Sequence, residues 1–367
     1  MATWMLTSQT NLPAMILGIH MHYPQVYKGL AKISIREHIV CTSRTKAPFS
    51  TSHGLCSAQN SPLKADKRRN KTGVMPPYGP VGVAAALEAS VSTTPTPTLF
   101  EHEFSARDKV ALVSGANRGL GLEMAMVLAE AGARAVYCVD LPEKPSEEWT
   151  KVKDYLARMK GKAGGEGRLE YFSADVCDQE RLWKIGETIG DREGRVDACI
   201  AAAGILNPDT DCLEYKSKSF QRVMETNVNG ALFTAQAAAR QMVRFDNGGS
   251  IIFIASMSGS ITNKGYRWIS YNTSKSAILQ MTRSMACELG EKRIRVNSVS
   301  PGHIYTTMTA AYFDTDPRLL EVASSSNPLN RLGRPDELRG VVTWLASDAS
   351  TFCTGSDMLV TGGHHAW

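Results

Sequence analysis

Residues 109–121 read Lys109-Val110-Ala111-Leu112-Val113-Ser114-Gly115-Ala116-Asn117-Arg118-Gly119-Leu120-Gly121, an apolar run that breaks into glycines at 115, 119 and 121. A helical pattern follows from Leu122 to Ala131. The run predicts a buried strand, and the glycines predict a tight turn that a ligand can approach closely. The helix start then offers unpaired amides that suit a pyrophosphate. The next apolar run ends in Asp140, nineteen residues after Gly121, where a carboxylate can accept hydrogen bonds from an adenosine ribose. A purely structural turn with an incidental acid accounts for neither the spacing nor the placement.

Further along, short apolar runs alternate with longer amphipathic segments. Strands are expected near 110–114, 134–139, 168–173, 196–201, 249–255, 293–299 and 357–360. Parallel neighbours need crossover connections, which are usually helical, so the alternation predicts one doubly wound α/β domain over residues 99–367. Ligands in such a sheet bind beyond the carboxyl ends of the strands, near the point where strand order reverses. Asp175-Val176 follows the third strand, and the small residues Ala201-Ala202-Ala203-Gly204 follow the fourth, leaving room there for a flat ligand. An isolated Asp after a strand also serves as a turn or helix cap.

Residues 1–98 differ in character. The first hundred residues hold ten Lys/Arg against three acids, a balance of +7, whereas the remaining 31 basic and 33 acidic residues leave −2. The folded part therefore gives no electrostatic reason to expect a nucleic acid partner. The head has little helical or strand periodicity and ends in a Pro/Thr linker, Ser90 to Thr98. Its acid-poor composition and the run Lys28, Lys32, Arg36, Arg44 and Lys46 have the chemistry of a mitochondrial presequence, with a cytoplasmic location as the alternative. The first 27 residues carry no charge, so a segment beginning at Met21 fits a presequence better. The run Lys67-Arg68-Arg69-Asn70-Lys71 reads as a solvated linker cluster rather than a nuclear signal.

Composition excludes further classes. With 43% hydrophobic and 21% charged residues the chain has the balance of a globular protein. The apolar stretch Ala14 to Ile19 is far short of the roughly 20 residues a membrane-spanning helix needs, so no membrane partner is expected. Eight scattered cysteines show no CxxC spacing and the eight histidines no HExxH. Neither a disulfide framework nor a metal is expected.

Two stretches carry chemistry. Tyr271-Asn272-Thr273-Ser274-Lys275 is the only Tyr-x-x-x-Lys among eleven tyrosines, and it lies in a helical pattern with Ile278, Met281, Met285 and Leu289. A spacing of four puts phenol and ammonium on one helix face, about 6 Å apart in rise. A phenol titrates near pKa ~10, and bringing it to about 7 needs roughly 4 kcal/mol of preferential stabilisation of phenolate, much of which a nearby cation in a dry site can supply. A surface Tyr/Lys pair is the alternative. The fifth strand ends in Ser256-Met257-Ser258-Gly259, which sets a hydroxyl at the carboxyl edge of the sheet, able to hold a carbonyl oxygen. A nucleophilic serine is disfavoured, because no histidine is near in sequence and the turn is not Gly-x-Ser-x-Gly.

Together, Gly115-x-x-x-Gly119-x-Gly121, Asn227 in Asn227-Val228-Asn229-Gly230, the serine after the fifth strand, Tyr271-x-x-x-Lys275 and Pro301-Gly302 resemble the short-chain dehydrogenase/reductase family over about residues 104–367. Within it the chain is most similar to fungal polyol dehydrogenases and ketose reductases of the sorbitol, mannitol and arabinitol type. They share stretches like Ala255-Ser256-Met257-Ser258-Gly259 and Asn327-Pro328-Leu329-Asn330-Arg331-Leu332-Gly333. The resemblance implies a Rossmann fold, an NAD or NADP cofactor, a polyol or ketose substrate and a homotetramer. It implies that Tyr271 is the general acid/base, that Lys275 lowers its pKa and holds the nicotinamide ribose, that Ser256 orients the substrate oxygen and that Asn227 holds a water in a proton relay. Gly115, Arg118, Gly119, Leu120, Gly121 and Asp140 would contact the cofactor, Asp175 and Val176 the adenine, and Ile304 and Thr306 the carboxamide.

Three departures bear on this. Ala201-Ala202-Ala203-Gly204 replaces the family's Asn-Asn-Ala-Gly, and Thr361-Gly362-Gly363 replaces Asp-Gly-Gly. Ser256 lies fifteen residues before Tyr271 where many members have thirteen, the distance at which Ser258 stands. Aligning Ser-Met-Ser-Gly on the family's Ser-x-x-Gly favours Ser256 and puts the two extra residues in the loop through Asn263 and Lys264. Asp140 favours NAD by repelling the 2′-phosphate of NADP, while Arg118 would attract it; the position of Asp140 against the ribose favours NAD. A steroid, quinone or acyl-carrier ketone as substrate, or cofactor binding without turnover, are the alternative functions.

Overall fold

All seven expected strands form: β1 (Val110–Ser114), β2 (Ala135–Asp140), β3 (Arg168–Ser173), β4 (Ala198–Ala201), β5 (Gly249–Ile254), β6 (Ile294–Pro301) and β7 (Asp357–Val360). The computed structural model describes residues 78–159, 167–314 and 317–367. The strands make one sheet in the order β3-β2-β1-β4-β5-β6-β7, every pair parallel. Strand order reverses between β1 and β4, where Ser114 pairs with Val139 on one side and Ala201 on the other.

The helices are α1 (Gly82–Glu88), α2 (Gly119–Glu130), α3 (Glu147–Arg158), α4 (Gln179–Glu193), α5 (Ser217–Met224), α6 (Gly230–Arg244), α7 (Ile269–Leu289), α8 (Thr307–Phe313), α9 (Pro317–Ser325) and α10 (Arg339–Ala346). They cover both faces of the sheet, which is why β1 is buried along its whole length and reads as a continuous apolar run rather than an alternating one. Val110 and Leu112 point into one core cluster, with residues of α4, α6 and α7. Ala111 and Val113 point into the other, with residues of α2, α3 and α10.

Some boundaries differ from expectation. β4 starts at Ala198, because at the preceding Asp197 the carboxylate accepts the amide of Val110 at 2.9 Å. β6 runs on to Pro301, pairing with Val360. Before residue 98, where little helical or strand periodicity is expected, lies α1, seven residues with none buried and too short to show a period. Nearby, Tyr78 stacks on His102 with ring centroids 5.0 Å apart. The basic run at residues 28–46, Met21 and the cluster at 67–71 lie outside the described residues.

Candidate active site

The loop after β1 turns through Gly115, whose φ of +67° is a left-handed conformation open to glycine. A Cβ there would stand 2.7 Å from the backbone of Ala203, and one on Gly121 would collide with the carbonyl oxygen of Gly115. The loop therefore closes on the end of β4 and on itself as only glycine allows. At Arg118, the exposed N-cap of α2, no side chain caps the helix, so its first amides are left for an anion.

Asp140 ends β2 beside this loop. Its carboxylate accepts the amide of Asn117 at 3.0 Å and that of Leu141 at 2.8 Å, which fixes it at the mouth of the turn. Buried Asn117 is braced by Ser146: its Oδ1 accepts the Ser146 amide and its carbonyl accepts the Ser146 hydroxyl, both at 2.7 Å. Ser146 in turn caps α3, accepting the amide of Trp149. Asp175 Oδ1 accepts the amide of Cys177 at 2.9 Å, and Val176 is buried against Gly230.

These segments enclose a cleft of about 880 Å³ at the carboxyl edge of the sheet, over the β1/β4 switch point. Gly115, Arg118, Gly119, Leu120, Gly121, Asp140, Asp175, Val176 and Thr306 all line it. Ile304 does not: its side chain turns onto Gly333, with which it forms a bridge, and it borders a separate small cavity.

Beside the cleft, α7 carries Tyr271 and Lys275 on one face, together with the buried Ser270, Ser274, Ile278 and Leu279. Lys275 is buried, its Nζ 5.5 Å from the centre of the Tyr271 ring, and it donates to the carbonyl oxygen of Ile254 at 2.7 Å. Burial lowers its pKa from 10.5 to about 8. Burial raises the pKa of the Tyr271 phenol, and the neighbouring Ser256 hydroxyl opposes that rise. Ser256, rather than Ser258, is thus the serine whose hydroxyl acts on the phenol. Ser258 instead gives its amide to Ser256 Oγ at 3.1 Å and accepts Asn263 Nδ2 at 3.1 Å.

Asn227 sits in a π-helical turn, Glu225–Asn229, between α5 and α6. Its Oδ1 accepts the amide of Ile205 at 2.8 Å, and its Nδ2 donates to the Ile205 carbonyl and to Ser274 Oγ, both at 3.0 Å. Ser274 donates in turn to the Tyr271 carbonyl at 2.8 Å. A Cβ on Gly204 would lie 3.3 Å from Asn227 Oδ1 and 3.8 Å from Lys275 Nζ, so the end of β4 brings Asn227 and Lys275 to one spot.

Several participants escaped the sequence reading. Ser274 lies inside the Tyr-x-x-x-Lys stretch, and Trp268 stands three residues before Tyr271, its ring edge-to-face with the phenol at 6.3 Å. Asn117, Ser146 and Asn263 act through tertiary hydrogen bonds that no local pattern announces. Among the described residues no group of three or more His, Cys, Asp or Glu side chains is arranged to hold a metal ion, and no helix is long and apolar enough to cross a membrane.

A doubly wound parallel sheet with a glycine-built anion cradle and Tyr271 beside buried Lys275 and Ser256 at the switch point defines a nicotinamide-dependent oxidoreductase. The family model described as enoyl-(acyl carrier protein) reductase matches residues 115–365. The chain belongs to the short-chain dehydrogenase/reductase family. It is 36% identical to the sorbose reductase of Schizosaccharomyces pombe, over 71% of this chain and 97% of that protein. It is 34% identical to a probable NADP-dependent mannitol dehydrogenase of Yarrowia lipolytica, over 74% and 94%. The crystal structure of a short-chain type dehydrogenase/reductase from Mycobacterium marinum superposes with a TM-score of 0.65 at 37% identity, covering 71% of this chain and 97% of that one.

Proposed function

We propose that the protein is an NAD-preferring oxidoreductase that interconverts a polyol and its ketose. The observation that carries the reading is buried Lys275, its Nζ 5.5 Å from the centre of the Tyr271 ring with the Ser256 hydroxyl beside the phenol, next to a cleft whose glycine loop leaves space for a pyrophosphate. The similarity to a sorbose reductase and a mannitol dehydrogenase supports the substrate class.

In this reading the nicotinamide supplies or accepts the hydride. Tyr271 gives its phenolic proton to the carbonyl oxygen in reduction and takes it from the carbinol in oxidation. Ser256 holds that oxygen by its hydroxyl. Lys275, anchored on Ile254, presents a positive charge that favours the phenolate and holds the nicotinamide ribose. Asn227, with both amide atoms engaged by Ile205, orders the backbone around a water in the proton relay. Asp175 and Val176 border the adenine; Thr306 and the backbone at Ile304 meet the carboxamide. Asp140, fixed by two amides, binds the adenosine ribose and disfavours a 2′-phosphate; Arg118 favours NADP as the second reading.

A panel of pentitols, hexitols and their ketoses, followed by absorbance of the reduced cofactor, tests the reading. Turnover of a bulky apolar ketone with none of any sugar overturns the substrate class.

The protein is further read as a homotetramer. A groove along α4, α6 and α7, lined by Trp183, Leu232, Met285 and Leu289 among charged residues such as Arg240 and Glu288, offers a face for a second copy, and light scattering of the purified protein decides it. Residues 1–98 are read as a basic head that directs the chain to mitochondria. Deleting them is expected to leave residues 99–367 folded and active, and a tagged full-length protein that stays cytosolic overturns the targeting role.

A further inference from the structure

Behind the Ser256–Tyr271 pair runs a line of hydrogen bonds that the mechanism above does not use. Ser256 Oγ accepts the amide of Ser258 at 3.1 Å, and Ser258 Oγ accepts Asn263 Nδ2 at 3.1 Å. Ser258 and Asn263 are each 4% exposed. Asn263 belongs to the longer connection between Ser256 and Tyr271, a loop otherwise largely open to solvent. Its second amide atom, Oδ1, is buried with no donor. Buried amide oxygens without a partner are uncommon and costly, so a residue kept in that state calls for a role beyond filling space.

The geometry of the serine supplies one. A hydroxyl has one proton and two acceptor positions. With one of Ser256's acceptor positions occupied by the Ser258 amide, its rotation is restricted, and the hydroxyl stands near enough to Tyr271 to favour the phenolate. The Ser258 amide is itself the first turn of a short 3-10 helix, Met257–Gly259, and the Ser258 side chain is the point at which the loop grips that helix.

We propose that Asn263 is a positioning residue: through Ser258 it holds the turn Met257–Gly259 and so fixes the direction in which Ser256 presents its hydroxyl to Tyr271 and the substrate oxygen. The proposal rests on the assignment of Ser256 and Tyr271 to catalysis. It adds that the longer loop is a working part of the site, since it brings in the side chain that steadies the serine.

The test is a double-mutant cycle on the full-length protein, with Asn263→Ala, Ser258→Ala and their combination, using the polyol with the highest turnover. Each single variant is expected to lower kcat about five- to tenfold with the KM for cofactor unchanged, the loss that follows from one mispositioned hydrogen bond. The double variant is expected to lose no more than either single one, because both cut the same link. The acid limb of the oxidation rate should move to higher pH, because the Ser256 hydroxyl that favours the phenolate is loosened. Ser258→Thr, which keeps the hydroxyl, should restore the wild-type profile. Additive losses, or a lower melting temperature with an unmoved pH profile, overturn the proposal. Should Asn263→Ala not fold, Ser258→Ala removes the same link with the loss of one atom, and Ser258→Thr keeps it. Full activity of Tyr271→Phe would sink the catalytic assignment itself; an inactive Tyr271→Phe beside an unaffected Asn263→Ala would sink the positioning role alone.

Discussion

Lys275 Nζ donates to the carbonyl oxygen of Ile254 across 2.7 Å, so the last residue of β5 is tied to the helix that carries Tyr271. A single buried ammonium thereby locks the sheet edge to α7 and stands one helical turn from the phenol. It does so at a cost, since burial draws its pKa down to about 8.

That cost has a definite sign. A lysine whose folded pKa lies below its unfolded value of 10.5 destabilises the fold fully at pH below about 8 and ceases to do so as pH rises through 10.5. The penalty is roughly 3 kcal/mol, of which the bond lost at the Ile254 carbonyl would return about 1 kcal/mol. Lys275→Met is therefore expected to raise the melting temperature at pH 7, with the gain shrinking between pH 8 and 10.5, while kcat and cofactor affinity both fall. Thermal melts across that pH range, with cofactor titration at pH 7, check it.

Tyr271→Phe removes the proton donor and leaves the ring's edge contact with Trp268. Turnover should fall about 100-fold or more, with cofactor affinity little changed. Steady-state rates together with fluorescence titration of the reduced cofactor separate the two, and a variant retaining a tenth of wild-type kcat would contradict the assignment.

Asp140→Ala should relax the preference for NAD toward NADP. The carboxylate lines the cleft, where both of its oxygens meet loop amides. Ratios of kcat/KM for the two cofactors, in the wild type and the variant, report it. A wild-type ratio favouring NADP would make Arg118 the controlling residue.

Gly115→Ala forces a side chain onto a residue with φ of +67° and drives a Cβ to 2.7 Å from the Ala203 backbone. The loop must shift, at a cost on the order of 1–3 kcal/mol. Cofactor binding should weaken by at least tenfold in calorimetric titration, and an unchanged Kd would show that the loop does not meet the cofactor.

The sheet was legible because strands buried on both faces are written as unbroken apolar runs, and β1, with all five residues buried, is the clearest of them. Tyr271 and Lys275 were legible because a helix converts a spacing of four into a shared face. What escaped depends on contacts between distant segments. The partner of Tyr271 turned on whether two extra residues enter before or after Ser258, and the engagement of Asn227 on Ile205, twenty-two residues away. Ile304 turns away from the cleft because Gly333 leaves it a place to pack. α1 carries no buried residue, so no hydrophobic period marks it.

The cleft draws its walls from residues spread between Gly115 and Met308, with the end of β2, the loops after β3 and β4, and α5 contributing between them. No fragment of the domain carries the whole wall, so a ligand that occupies it favours the complete fold over every partly unfolded form. Cofactor binding and conformational stability are then linked quantities: at a hundred times its Kd the cofactor adds about 2.7 kcal/mol. For a domain of this size that is a rise in Tm of roughly 5–10 °C. Melting curves in rising cofactor concentration thus rank NAD against NADP with no substrate present, and in variants that no longer turn over.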